Sequence, residues 1–193
     1  MKFALLFLVA ATLRGPVDVA TLTRASDAVV HARVVRRASA WGAGGPSSGV
    51  IYTRVTLAPI EWWKGGPGAR GARSPGDAPH EIVVRVPGGA VGEIDQAVQG
   101  VARFGDEEEV VVFLRRLAPG IFGVERWALG KFAVGASAGA GAGVAGAPAR
   151  VADKSARAVR DRTGVSCVGC RAGEEDDLAL DDLRARVRGS LRR

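Results

Sequence analysis

The stretch Val50-Ile-Tyr-Thr-Arg-Val-Thr-Leu-Ala-Pro-Ile-Glu-Trp-Trp-Lys-Gly65 decides the fold. Ile51, Thr53, Val55 and Leu57 recur at every second position, the period of a strand with one face on a core. Pro59 cannot donate to a ladder, so this strand is expected to bend, or to lie at an edge, near its end. The same period continues on both sides. Before it, Asp27 to Val35 puts Ala28, Val30, Ala32 and Val34 on one face and Val29, His31, Arg33 and Val35 on the other. After it, Ile82, Val84 and Val86 alternate up to the turn Pro87-Gly88-Gly89. Glu107 to Leu117 holds an apolar run suited to a strand buried on both faces. Phe122 and Val124 alternate next, then Phe132 and Val134. About six strands with no helical pattern between them predict a mainly β fold, an antiparallel barrel or sandwich rather than a doubly wound α/β sheet.

Two helices are expected at the flanks. Pro16 to Ser26 reads as a short helix with Val19, Leu22 and Ala25 on one face and Pro16 in its first turn. Residues 174–193 open with Glu174, Glu175, Asp176 and Asp177 and then show the stripe Leu180, Leu183, Val187, Leu191. Acids first and arginines last suit the helix dipole, so this is an amphipathic helix that packs on the β domain or on another chain. A basic helix lying on a membrane surface is the sharper alternative, but the stripe is narrow and lacks aromatics.

Gly135 to Gly146, GASAGAGAGVAG, matches two fingerprints at once. Gly135-x-Ser137-x-Gly139 fits the nucleophile elbow of serine hydrolases. Gly141 to Gly146 fits the dinucleotide turn. The elbow needs a strand-to-helix turn with a His after the Ser, whereas His31 and His80 both precede Ser137. The dinucleotide turn needs a helix behind its glycines, whereas Pro148 follows at once. A Gly/Ala tract at 136–149 is therefore expected to be a flexible insertion.

The sequence has 193 residues, and its Lys and Arg outnumber Asp and Glu by 27 to 20, for a net charge of +7 with His neutral. That licenses non-specific attraction to anions and defines no site. Lys2 is followed by an apolar run, Phe3 to Ala11, far short of the ~20 residues of a membrane span. It reads as a signal peptide, 1–11, with cleavage at Ala11/Thr12. The organisation expected is then a β domain over 12–135, the insertion at 136–149, a return strand (ARVAD) and irregular segment within 150–173, and the helical segment 174–193.

Few residues carry chemistry. Cys167-x-x-Cys170 lacks the two further ligands of a zinc site and the βαβ setting of a redox pair, so a local disulfide in an exported chain is the modest expectation. Asp106 to Glu109 reads as a solvated flank that guards an apolar strand against edge pairing. His31 shares a face with Arg33 and reads as a surface residue. Trp62 and Trp63 must point to opposite faces of their strand. An exposed ring there, with Tyr52, Arg54, Lys64 and Arg85, would make a platform for a base or a sugar.

Three stretches together, Ser26 to Val34, Tyr52 to Thr56 with Trp63-Lys64-Gly65, and Phe104-Gly105 to Leu114, resemble a group of bacterial secreted β-proteins and, more distantly, the netrin-like module of tissue inhibitors of metalloproteinases. The resemblance covers about residues 25–135 and implies an OB-type barrel. Inhibition is not implied, because those inhibitors ligate zinc with an N-terminal Cys, and no Cys occurs here before Cys167. The expectation is an exported, non-enzymatic binding module with no metal or cofactor, contacting a protein or peptide of the envelope or extracellular space. Single-stranded nucleic acid is the alternative ligand, and a hydrolase using Ser137 is the second.

Overall fold

Alternation along Ala28 to Val34 sends Ala28, Val30, Ala32 and Val34 to one side of a strand, and all four are buried in one cluster. The computed structural model describes residues 17–66, 81–136, 156–161 and 175–192. Among these the protein is mainly β. Helix α1 (Val19–Ala25) leads into β1 (Ala28–Trp41) and β2 (Ile51–Lys64). Then come β3 (Ile82–Pro87), the small hairpin β4 (Gly89–Val91) and β5 (Ile94–Gln96), β6 (Glu109–Ala118) and β7 (Ile121–Val124). Strands β8 (Lys131–Ala136), β9 (Ala156–Arg160) and β10 (Asp177–Ala179) precede helix α2 (Leu180–Ser190).

Eight strands form one sheet in the order β1-β2-β3-β7-β6-β8-β9-β10, and β1 also pairs with β6. The pairings β1-β2-β3-β7-β6 therefore return to β1. A ring of five strands cannot alternate in direction all the way round, so one pair must be parallel. It is β3–β7, where Val83 lies beside Ile121 and Val84 beside Phe122. This corrects the expectation of a purely antiparallel sheet: the sheet is mixed.

The strand count also rises from about six to ten among the described residues. The four added strands, β4, β5, β9 and β10, are three to five residues long. They are too short to show a period. The acids Asp176 and Asp177 lead into β10 instead of opening a helix, and α2 begins only at Leu180. The ARVAD stretch, the signal segment and Pro16 lie outside the described residues.

Two cores result. The inner one joins the inward faces of the five ring strands, with Val101, Ala102 and Phe104 from the β5–β6 connection added. The outer one lies on the reverse face of β1, β6 and β8 and is closed by the two helices: Val19 and Leu22 from α1, Leu183 and Val187 from α2, over Val29, Phe113 and Phe132. β6 serves both cores, as its apolar run implied: Val110, Val112 and Leu114 face in, Val111 and Phe113 face out.

The helices are tied down at their ends. Asp18 caps α1 by accepting from Thr21 N at 2.5 Å, and hydrogen bonding from the Thr21 side chain and then its backbone holds the Asp18 carboxyl below the usual range. Glu175 accepts from Val19 N at 2.6 Å and from Arg186 of α2 at 2.6 Å. On α1, Ala25 is exposed, and Thr23 takes a buried position by bonding Val19 O at 2.7 Å. On α2 the stripe is buried only at Leu183 and Val187, and Leu191, just past the helix, is 46% exposed.

Candidate functional site

Along β2, the residues expected to form one platform fall at two distant places. Tyr52 and Arg54 lie near its start, Trp62, Trp63 and Lys64 at its end, about ten residues or ~33 Å apart along a strand.

The far end is structural. Pro59 marks a change of register between β1 and β2: His31 pairs with Glu61 but Ala32 with Pro59, so Ile60 bulges out and is 54% exposed. β3 covers only Tyr52 to Leu57, so among the described residues Pro59 has a paired strand on one side alone. Trp62 packs against the inner core, and Trp63 is 5% exposed inside the outer core. Its Nε1 donates to Glu61 at 3.0 Å. The Lys64 ammonium donates to the Thr23 and Ser26 carbonyls at the C-terminal end of α1, where a cation suits the helix dipole. Neither Trp63 nor Lys64 is presented to a ligand.

Glu61 joins this end to α2 through hydrogen bonds from Arg184 and, at 2.9 Å, from Arg188. Burial opposes its ionisation, but the bonds from Arg184 and Trp63 and the two guanidinium charges outweigh it and hold the carboxyl below its ordinary range.

The near end is different. β1, β2 and β3 align Ala38 with Arg54 and Arg54 with Arg85, Ala40 with Tyr52, and Arg36 with Thr56. These positions share the outward face. Arg36, Arg54 and Arg85 are exposed. Among the described residues none of them has a carboxylate at ion-pair distance, whereas Arg33, Arg37, Arg157 and Arg184 all do. The Arg85 guanidinium lies 4.9 Å from the Tyr52 ring centre, so that ring face is already occupied by a cation. Like charges facing across Arg54 and Arg85 are destabilising, which makes the patch a feature with a cost to the fold.

Arg36 was not legible as a member of this face. Strict alternation from Val34, which faces inward, would turn Arg36 inward and Arg37 outward. The register shifts between Val34 and Arg36, leaving Val35 unpaired, and one extra residue reverses the parity beyond it. Arg37 consequently faces a cleft of about 820 Å³ beside the β5–β6 connection. There it bonds Asp106 at 2.8 and 2.7 Å, and these bonds hold the Asp106 carboxyl below its usual range. The cleft's Lys131 is likewise engaged, with Glu108 at 2.6 Å and the Arg103 carbonyl.

Two readings of charged residues are corrected. The acidic run is a solvated flank only at Asp106 and Glu107, which are exposed; Glu108 is half-buried and paired with Lys131, and half-buried Glu109 Oε1 lies 2.7 Å from His31 Nε2. β6, which follows them, is no edge, since it pairs with β1, β7 and β8. His31 is no surface residue, its side chain being 10% exposed beside Glu109, with the Trp63 ring 6.0 Å away. These partners lie 23 to 78 residues apart in sequence, beyond the reach of any local pattern.

Ser137, Cys167 and Cys170 lie outside the described residues. Among the described residues no three His, Cys, Asp or Glu side chains gather as a metal ion would need, and no helix is long and apolar enough to cross a membrane. Compared with protein families, curated proteins and solved structures, the chain matches none.

Proposed function

We propose that the protein is an exported, non-enzymatic binding module of the cell envelope or extracellular space, built on an OB-like five-stranded barrel of the netrin-like type. Its ligand is an anionic protein or peptide, and the outward face of β1, β2 and β3 receives it. The returning ring of pairings β1-β2-β3-β7-β6, with its single parallel pair β3–β7, supports the barrel. The observation that carries the function is the trio Arg36, Arg54 and Arg85, exposed and without ion-pair partners among the described residues. Unpaired like charges cost stability, and a partner's carboxylates would relieve that repulsion.

The test is retention of the full chain on immobilised polyglutamate. Wild-type protein is expected to bind and to elute with salt, and Arg54→Glu with Arg85→Glu to pass through. Equal retention of both forms would refute the assignment. Export is checked separately by intact mass of the protein from each compartment of a Gram-negative host, where a species starting at Thr12 outside the cytoplasm is expected.

Single-stranded nucleic acid is the second reading, favoured by the same arginines. The rings count against it. Arg85 lies over one face of the Tyr52 ring, and Trp63 is buried, so these two rings offer less stacking surface beside the charge than a nucleic-acid platform needs.

A further inference from the structure

The edge of β1 that faces away from β2 is used unevenly. Its first part, Ala28 to Arg33, pairs with β6. Val34 N still reaches Glu108 O at 2.8 Å. Beyond that, Val35 to Trp41 has β2 on one side, and among the described residues no strand pairs with its other side. A row of backbone donors and acceptors is left open, the usual template for an added strand.

The face beside this edge is shaped for one kind of addition. Arg36, Ala38 and Ala40 stand outward along β1, all exposed. Behind Ala38 sits Arg54, and behind Arg54 sits Arg85, in cross-strand register. The two alanines leave an open lane from the free edge to the arginines of β2 and β3. An acidic side chain on a strand added there would lie two strand spacings, about 10 Å, from the backbone of Arg54. Long Glu and Arg side chains reaching toward each other over Ala38 span that gap.

We infer that the free edge of β1, Val35 to Trp41, takes an extended acidic segment of a partner protein as an additional strand, with its carboxylates meeting Arg36 directly and Arg54 across Ala38. The inference rests on the anion-binding role proposed for this face. Charge selects this occupant over a second copy of the chain: a second copy paired along this edge would gather Arg36, Arg54 and Arg85 of both copies on one sheet face and bring no carboxylate to meet them. The unpaired Val35 with Arg36 and Arg37 are also what keep an exposed edge from pairing with neutral strands. The same residues that repel those partners attract an acidic one, so specificity arises from repulsion and attraction together.

The experiment measures fluorescence anisotropy of the full chain with three labelled probes: the peptide (Glu-Val)6, the same peptide N-methylated at alternate residues, and a twelve-residue oligothymidylate. The unmodified peptide is expected to bind. N-methylation should weaken it about tenfold or more, because several backbone hydrogen bonds are lost while charge is kept. Arg54→Glu should weaken it by a comparable factor, and Ala38→Glu, which blocks the lane with the wrong charge, should weaken it further. On binding, amide exchange at residues 35–41 should slow. Equal binding of the N-methylated peptide, or tighter binding of the oligothymidylate, would overturn strand addition and leave an anion-binding face. Failure of all three probes to bind would overturn that wider reading as well.

Discussion

Val29 and Val30 are neighbours on β1, yet they belong to different cores. Val30 joins Val55, Val84, Val112 and their like, inward residues of ring strands at every second position. Val29 joins Trp63, Phe113, Phe132, Leu178, Leu183 and Val187, gathered from helix, strand and bulge across more than 150 residues of chain. The inner core holds itself in place, since the ladders that form the ring also bring its side chains together. The outer core depends on attachments. Glu61 binds Arg184 and Arg188, Glu175 binds the start of α1 and Arg186, and Lys64 binds the end of α1. A core assembled from repeats within strands needs few tethers, whereas one assembled between elements needs polar anchors at its rim.

The largest expected effect is at the outer core's centre. Phe113→Ala removes a fully buried ring 5.9 Å from that of Phe132 and should cost about 4 kcal/mol in denaturant unfolding. Leu57→Ala in the inner core should cost about 3 kcal/mol. If the cores are one cooperative unit, both variants shift a single transition; two separate transitions would break that picture. Next comes the tryptophan pair. Trp63→Ala should cost about 3 kcal/mol and loosen α2, whereas half-buried Trp62 should cost clearly less.

Smaller is the effect of the rim anchor. Glu61→Gln should cost about 1 kcal/mol at neutral pH. Because the folded carboxyl titrates below its unfolded value, its contribution is present above about pH 4.5 and is lost as pH falls through the folded value. Wild type should therefore lose its advantage over Glu61→Gln on acidification, read as converging denaturation midpoints; a gap that stays constant down to pH 3 would refute the anchor. The smallest effect has the opposite sign. Arg54→Ala relieves the Arg54–Arg85 opposition and should stabilise by roughly 0.3 kcal/mol.

The inner core was open to sequence reading because its rule is local. Ala28, Val30, Ala32 and Val34, or Ile82, Val84 and Val86, announce their shared face within a few residues. The outer core was half legible: Leu183 and Val187 showed a stripe, and adjacent tryptophans had to diverge, but nothing local says that the stripe covers Trp63 and Phe113. The candidate site was less legible still. Tyr52, Arg54 and Arg85 are neighbours on one sheet face, while Trp63 and Lys64 belong to the fold. Arg36 enters only through the unpaired Val35, a backbone event that side-chain alternation does not encode. His31 and Glu109 look like surface residues because each finds its partner through tertiary pairing alone.

The double duty of β1 and β6 sets an order in time. The β1–β2 hairpin is local and can form early, but the β1–β6 pairing joins residues some eighty positions apart, a contact that is slow to form. The outer core waits longer, because Leu183 and Val187 follow Val29 by more than 150 residues. Until they arrive, Val29, Trp63, Val111 and Phe113 have only α1 for cover on that side, and a chain stopped before α2 would present part of that cluster as a sticky surface.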